Sequence, residues 1–399
     1  FVSMTAGCAQ QGEGKAASSG ETELIWYYPT GAASEQTDAI FAAANKIIKE
    51  KINATVDFRP YERGEYSQKV MLKMSANEAF DICYTSSWLF PYIDGVKKNA
   101  FLELDELLTQ YAPKTKEMIP QRIWDAVKIG GKTYSVPNYQ MSFVQHALVF
   151  NKALVEKYQL QEQIDNIEKL EDLTPIFQII HDNEPDIVPT MLYPSFGLHS
   201  WGSMDDYYEY PITNIPVGVD TDLNVVNLAE GKPFEYELDM YRLAREWNQK
   251  GFFHKDVGIA NDFTAEQNAG KFFMFYDTFK PGIEAEEELI HGYPVYVKTV
   301  GNSVLSQASV TGTLSAISRT SKNPEKAMEF IELVNTDKEL YNILVFGLEG
   351  QNYEKVGEDK IEIKPESDYS TYAWALGCNF NAFKLSTQDD NVWEEMKRL

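Results

Sequence analysis

The sequence predicts an α/β protein built as two domains. Three observations carry this. The length of 399 residues exceeds what one ordinary core fills. A composition of 44% hydrophobic and 24% charged residues is that of a globular chain. From Thr22 the pattern runs strand, helix, strand, helix, strand, the order that lays down a parallel sheet covered by helices.

The elements follow in order. Leu24-Ile25-Trp26-Tyr27-Tyr28 reads as a first strand, broken by Pro29-Thr30-Gly31. Ile40, Phe41, Ala44, Ile47 and Ile48 then recur on one face of a helix from Gln36 to Lys51, with Ser34 or Thr37 as its cap. Ala54 to Phe58 is a second strand and Glu65 to Ala76 a second helix, with Tyr66, Val70, Met71 and Met74 on one side. Ala79 to Thr85 is a third strand. A turn at Gly130-Gly131 leads into Thr133 to Pro137, and Val144 to Asn151 is another strand. A second α/β run follows, with helices near 168–182 and 237–250 and an apolar strand at Lys271 to Tyr276. Asn323-Pro324 is a strong helix start, with Ala327, Phe330, Ile331 and Val334 on the buried face. A further helix from Asp337 should stop at Gly347. No short-period repeat is present.

Sixty acidic against 36 basic side chains give a net charge of -24, which repels nucleic acid and anionic lipid. Three cysteines, Cys8, Cys83 and Cys378, make neither a disulfide framework nor a zinc site, although one bridge between Cys83 and Cys378 stays open. The five histidines share no metal-ligand spacing, so neither a metal nor a cofactor is expected. Gly12-Glu13-Gly14-Lys15 lacks the hydroxyl and the preceding strand of a phosphate loop. Gly301-Asn302-Ser303 lacks the second glycine of a nucleophile elbow, and Asp205-Asp206 with Glu209 lacks a calcium loop's glycine.

The N-terminus reads as an address. Thr5-Ala6-Gly7-Cys8 resembles a bacterial lipobox, with Thr5 where Leu is usual, and marks Cys8 for lipidation. The polar tract Ala9 to Gly20 is too poor in apolar residues to pack and suits a flexible tether.

Three parallel strands put their C-terminal loops on one edge, where ligands of open α/β sheets bind. Those loops are Tyr28 to Gly31, Arg59 to Gly64 and Ser86 to Tyr92, a concentration of rings, hydroxyls and carboxylates. Carbohydrates require this mixture, because their C–H faces pack on flat rings while their hydroxyl edges need directed donors and acceptors.

Trp26-Tyr27-Tyr28-Pro29, Phe80 to Thr85, Gly131 to Pro137, Ser321 to Ala327, and Tyr341 through Tyr353 together resemble the extracellular solute-binding proteins of bacterial ABC importers, of the carbohydrate-binding class. More narrowly the chain is similar to LipO-type lipoproteins that end in their own C-terminal domain. The resemblance implies a two-lobed periplasmic-binding-protein fold of type II, with hinge crossovers and ligand held between the lobes. It implies residues 1–21 as signal remnant and tether, 22–140 as lobe 1, 141–276 as lobe 2, 277–312 as the return to lobe 1, and 313–399 as lobe 2 with the start of the C-terminal family domain. Crossings are expected near Tyr139-Gln140-Met141, Asp277-Thr278 and Thr311-Gly312-Thr313. Val392 to Leu399 reads as a helix cut mid-course, so a C-terminally truncated fragment is expected.

Carried over by position in the loops, the candidate ligand contacts are Tyr28, Tyr61, Glu62, Ser87, Trp88, Tyr139, Tyr193, Asp277 and Trp374, with Trp201 as a further second-lobe ring. The implied partners are a carbohydrate, permease subunits and, through Cys8, the outer face of the cell membrane; the protein should be a monomer without catalysis. Three alternatives stay open: an oligopeptide-binding component, a glycoside hydrolase using Glu62 and Asp277 across the cleft, and a surface adhesin with an exposed apolar patch.

Overall fold

The computed structural model describes residues 21–31, 34–191, 207–209, 217–220, 222, 224–258, 263–369 and 371–399. Its first lobe is built on a five-stranded sheet of β1 (Thr22–Thr30), β2 (Ala54–Glu62), β3 (Ile82–Thr85), β4 (Val136–Pro137) and β12 (Leu314–Ile317), in the order β2-β1-β3-β12-β4. β1 runs parallel to β2 and β3, whereas β12 is antiparallel to β3 and β4. The helices α1 (Thr37–Ile52) and α2 (Arg63–Ser75) make the crossovers from β1 to β2 and from β2 to β3.

Strand alternation explains how this sheet is buried on both faces. Trp26 and Tyr28 point one way, where Trp26 meets Phe58 at 6.0 Å and Phe330 at 5.3 Å between ring centroids. Tyr27 points the other way, edge-on to Phe80 at 5.2 Å. At the start of α1 the Ser34 hydroxyl accepts from the Gln36 N–H at 3.0 Å, and the Thr37 hydroxyl donates to the Ser34 carbonyl at 2.8 Å. The two hydroxyls thus order the turn before the helix, and no side chain caps it directly.

The second lobe carries β5 (Val144–Asn151), β6 (Val188–Thr190), β10 (Phe272–Thr278) and β11 (Val295–Val304), in the order β11-β5-β10-β6. Its core gathers Phe150, Phe177, Trp247, Phe252 and Phe273, all fully buried. Among the described residues there are two smaller sheets: β7 (Tyr207–Glu209), β8 (Val217–Asp220) and β9 (Val225–Asn227), then β13 (Tyr353–Lys355), β14 (Lys360–Ile363) and β15 (Lys384–Leu385).

The chain leaves lobe 1 after Pro137 and enters lobe 2 at Val144; it comes back between Val304 and Leu314. Here the sequence expectation needs correcting. β11 lies within the stretch 277–312 expected to return to lobe 1, yet it pairs with β5 from Val295↔Asn151 to Val300↔His146. Its β-branched run Val295-Tyr296-Val297-Lys298-Thr299-Val300 satisfies a lobe 2 edge that would otherwise be open. Residues 313–399 were expected in lobe 2. Instead the helices Pro324–Thr336 and Lys338–Phe346 bury Phe330, Val334, Leu340 and Leu344 in the lobe 1 core beside Trp26.

Asn323 precedes the first of these helices without a side-chain cap, whereas Asp337 caps the second by accepting from the Leu340 N–H at 2.9 Å. That second helix stops at Gly347, whose φ of 83° is left-handed. The last helix, Val392–Arg398, seats Val392, Trp393 and Met396 in the same core. Cys83 and Cys378 are both buried and both free, so the bridge left open by the sequence is not formed.

Candidate ligand site at the hinge

The loop after β3 is held by its own hydroxyls. Ser86 Oγ accepts from the Leu89 N–H at 2.7 Å, and the Thr85 hydroxyl donates to the Phe90 carbonyl at 2.6 Å. This turn delivers Ser87 and Trp88 to the crossing segment that returns from lobe 2. The Ser87 N–H donates to the Thr311 carbonyl at 2.8 Å, and its hydroxyl to the Ala308 carbonyl at 2.9 Å. The Gly312 carbonyl accepts twice, from the Trp88 indole N–H at 2.9 Å and from the Tyr84 hydroxyl at 2.9 Å. With its polar edge satisfied, Trp88 still presents 54% of its surface to solvent.

Trp374 meets this loop from the C-terminal segment. Its ring lies 5.7 Å from Trp88 and 5.6 Å, edge-on, from Tyr84, and it stacks on Tyr372 at 4.8 Å and 18°. The segment is tied to the outgoing crossing: Asn138 Nδ2 donates to the Trp374 carbonyl at 3.3 Å, and the Asn379 N–H to the Tyr139 carbonyl at 2.9 Å. Asn138 in turn donates its N–H to the Thr313 carbonyl at 3.0 Å, and Gln140 Nε2 donates to the Thr313 hydroxyl at 2.8 Å. Both hinge segments and the aromatic cluster are therefore one hydrogen-bonded unit.

Of the sequence candidates, Ser87, Trp88 and Trp374 come together here, with Tyr139 half-buried against Phe380 at 5.0 Å on the adjoining crossing. Tyr28 sits in the lobe 1 core instead, 2% exposed and 4.6 Å from Trp26, because its place on β1 turns it beneath the sheet edge. Tyr61 stacks on Tyr27 at 5.6 Å under the Lys69 ammonium. Glu62 is exposed at the start of α2. Tyr193, Trp201 and Cys8 lie outside the described residues. Tyr84 and Tyr372 were missed. Tyr372 had a signal, standing two residues before Trp374 in a Tyr-Ala-Trp run.

Asp277, at the end of β10 in lobe 2, has its carboxyl pushed up to about 7, first by burial and then by the Glu287 charge, against the opposing fields of Lys280 and of Arg63 on lobe 1. Beside it, His146 contacts the Tyr276 hydroxyl, and burial holds its imidazole down at about 4. No cluster of metal-ligating side chains occurs among the described residues.

This geometry, two lobes joined by paired crossings with rings and hydroxyls at the joint, has counterparts. The family model of bacterial extracellular solute-binding proteins matches residues 33–340, most of the chain. This chain belongs to that family. A family relative from Streptococcus pneumoniae serotype 4, a carbohydrate ABC transporter substrate-binding protein, is 27% identical over 413 residues, covering 100% of this chain and 81% of its own. The crystal structure of the N-glycan transport solute-binding protein of Streptococcus pneumoniae is similar at a TM-score of 0.78 and 25% identity, over 94% of this chain and 82% of that one. Its complex with Man5GlcNAc gives a TM-score of 0.79 with the same identity and coverage. A further solute-binding protein of that species, in complex with kestose, shares the fold at a TM-score of 0.60 and 14% identity, over 94% of this chain and 80% of that chain.

Proposed function

We propose that this solute-binding protein captures an oligosaccharide between its lobes and presents it to the permease of an ABC importer, without altering it. The observation that carries the reading is the half-exposed Trp88, backed by Trp374 and bolted at its indole edge to the hinge carbonyl of Gly312. A rigid indole face suits the C–H face of a pyranose ring, and the surrounding hydroxyls and amides suit its edge. Family membership and the carbohydrate-binding relatives support the same reading.

Ligand stacked on Trp88 touches the element that fixes both crossings. Its contacts are therefore placed to differ between open and closed lobes, and only such a difference shifts the equilibrium. Lipidation at Cys8 would hold the protein at the outer face of the membrane, with Ala9 to Gly20 as tether. The test is a thermal-melt panel of oligosaccharides, peptides and sugar phosphates, since a ligand specific to the native state raises the melting temperature. A shift with a glycan that is recovered intact is expected; a shift with peptides alone would overturn the carbohydrate reading, and hydrolysis of the glycan the non-catalytic one.

A further inference from the structure

Three buried side-chain polar atoms lack a hydrogen-bond partner among the described residues, and two of them, Trp26 Nε1 and Asn335 Oδ1, belong to residues lining one cavity. Trp26 is 1% exposed and Asn335 is 2% exposed. An indole N–H only donates and an amide oxygen only accepts. Leaving either bare forfeits its hydration without replacement, so native structures seldom do so. The two atoms are complementary, but the protein does not join them. The cavity encloses about 10 Å³, close to what a single water requires.

We propose that one water molecule is an integral part of lobe 1, bound between Trp26 and Asn335. It accepts from the Trp26 indole and donates to Asn335 Oδ1. Its second hydrogen has an acceptor in Ser315, which also lines the cavity. The Ser315 hydroxyl donates its own proton to Asn138 Oδ1 at 2.9 Å, leaving lone pairs free to accept. These three bonds match the usual number for a buried water. The other side chains of the lining, Ile82, Phe330 and Val334 among them, are apolar.

The bond sequence continues beyond the cavity. Asn138 Nδ2 donates to the Trp374 carbonyl, so the water ends a chain running from β1 and the helix Pro324–Thr336 to the ring cluster at the hinge. Among the described residues Asn335 is otherwise engaged in its own helix and the C-terminal segment: its Nδ2 donates to the Ile331 carbonyl at 2.9 Å, and its main-chain carbonyl accepts from Asn381 Nδ2 at 2.7 Å. Its amide oxygen is thus free to hold the water.

Two measurements decide the matter. A high-resolution crystal structure of the full chain should place a solvent peak within about 3 Å of both Trp26 Nε1 and Asn335 Oδ1. Oxygen-17 magnetic relaxation dispersion should then lose the contribution of one long-lived water in Asn335→Leu, compared with the parent. An empty cavity in the crystal map overturns the proposal, as does unchanged dispersion in a variant that keeps its native circular dichroism. If Asn335→Leu does not fold, the parent's density map decides alone.

Discussion

Replacing Trp88 with Ala isolates the stacking face from the rest of the hinge. Trp88 keeps 54% of its surface exposed; for a side chain of about 250 Å² that is roughly 135 Å². A pyranose covering about half of it removes ~70 Å² from water, worth about 1.7 kcal/mol at ~25 cal/mol per Å². The dissociation constant should therefore rise about fifteen- to twentyfold. The substitution also removes the indole N–H from the Gly312 carbonyl, but that oxygen keeps the Tyr84 hydroxyl, so the hinge is not left with a bare acceptor. Trp88→Phe serves as the control, retaining a ring while losing the N–H, and should recover most of the affinity. Isothermal titration of parent and both variants with a glycan found in the melt panel gives the numbers. Unaltered affinity in Trp88→Ala would remove the ring from the ligand site and refute the stacking argument.

Trp374→Ala removes a ring that braces Trp88, Tyr84 and Tyr372; it should both weaken glycan binding and lower stability by about 3 kcal/mol in urea unfolding. Tyr28→Phe changes only a residue buried in the core and should leave glycan affinity unaltered in the same titration. Asp277 is raised to about 7 when folded, against about 3.9 unfolded; the folded state then binds the extra proton, and this group's contribution to stability falls as pH rises from about 4 to 7. His146, held at about 4, acts oppositely over about 4 to 6.5. Asp277→Asn should therefore steepen the gain in urea midpoint between about pH 5 and 6.5, and an unchanged slope would refute the buried-carboxyl assignment. Gly347→Ala forces a left-handed residue and a Cβ 2.4 Å from Asn352 Oδ1; a loss of about 1 to 3 kcal/mol in chemical denaturation is expected.

The lobe 1 elements were legible because they are long and periodic. Ile40, Ala44 and Ile48 mark the buried face of α1, and the run through Trp26 and Tyr28 marks a strand covered on both sides. Lobe membership after residue 276 was not legible, since period and propensity say that Val295 to Val300 is a strand but not which sheet has an edge for it. The same holds for the helix Pro324–Thr336: Phe330 and Val334 announced a buried face without naming Trp26 as its partner. The sequence singled out the loop of Ser87 and Trp88 from its position after a parallel strand, a rule of topology, and the structure sets that loop against the returning crossing. Tyr28, another candidate, is buried together with Tyr27, because the sheet that carries β1 is covered on both faces. The bracing by Gly312 depends on a contact between segments more than 200 residues apart, Trp88 to Gly312, which no local pattern encodes.

The most direct test of the account is calorimetric titration of the full chain with purified oligosaccharides, together with chromatography of the recovered ligand. Saturable heat with one glycan class, one site per chain, and chemically intact glycan afterwards is the predicted result. Absence of heat with every glycan, alongside saturable binding of a peptide, would contradict capture of a carbohydrate at the Trp88 hinge site.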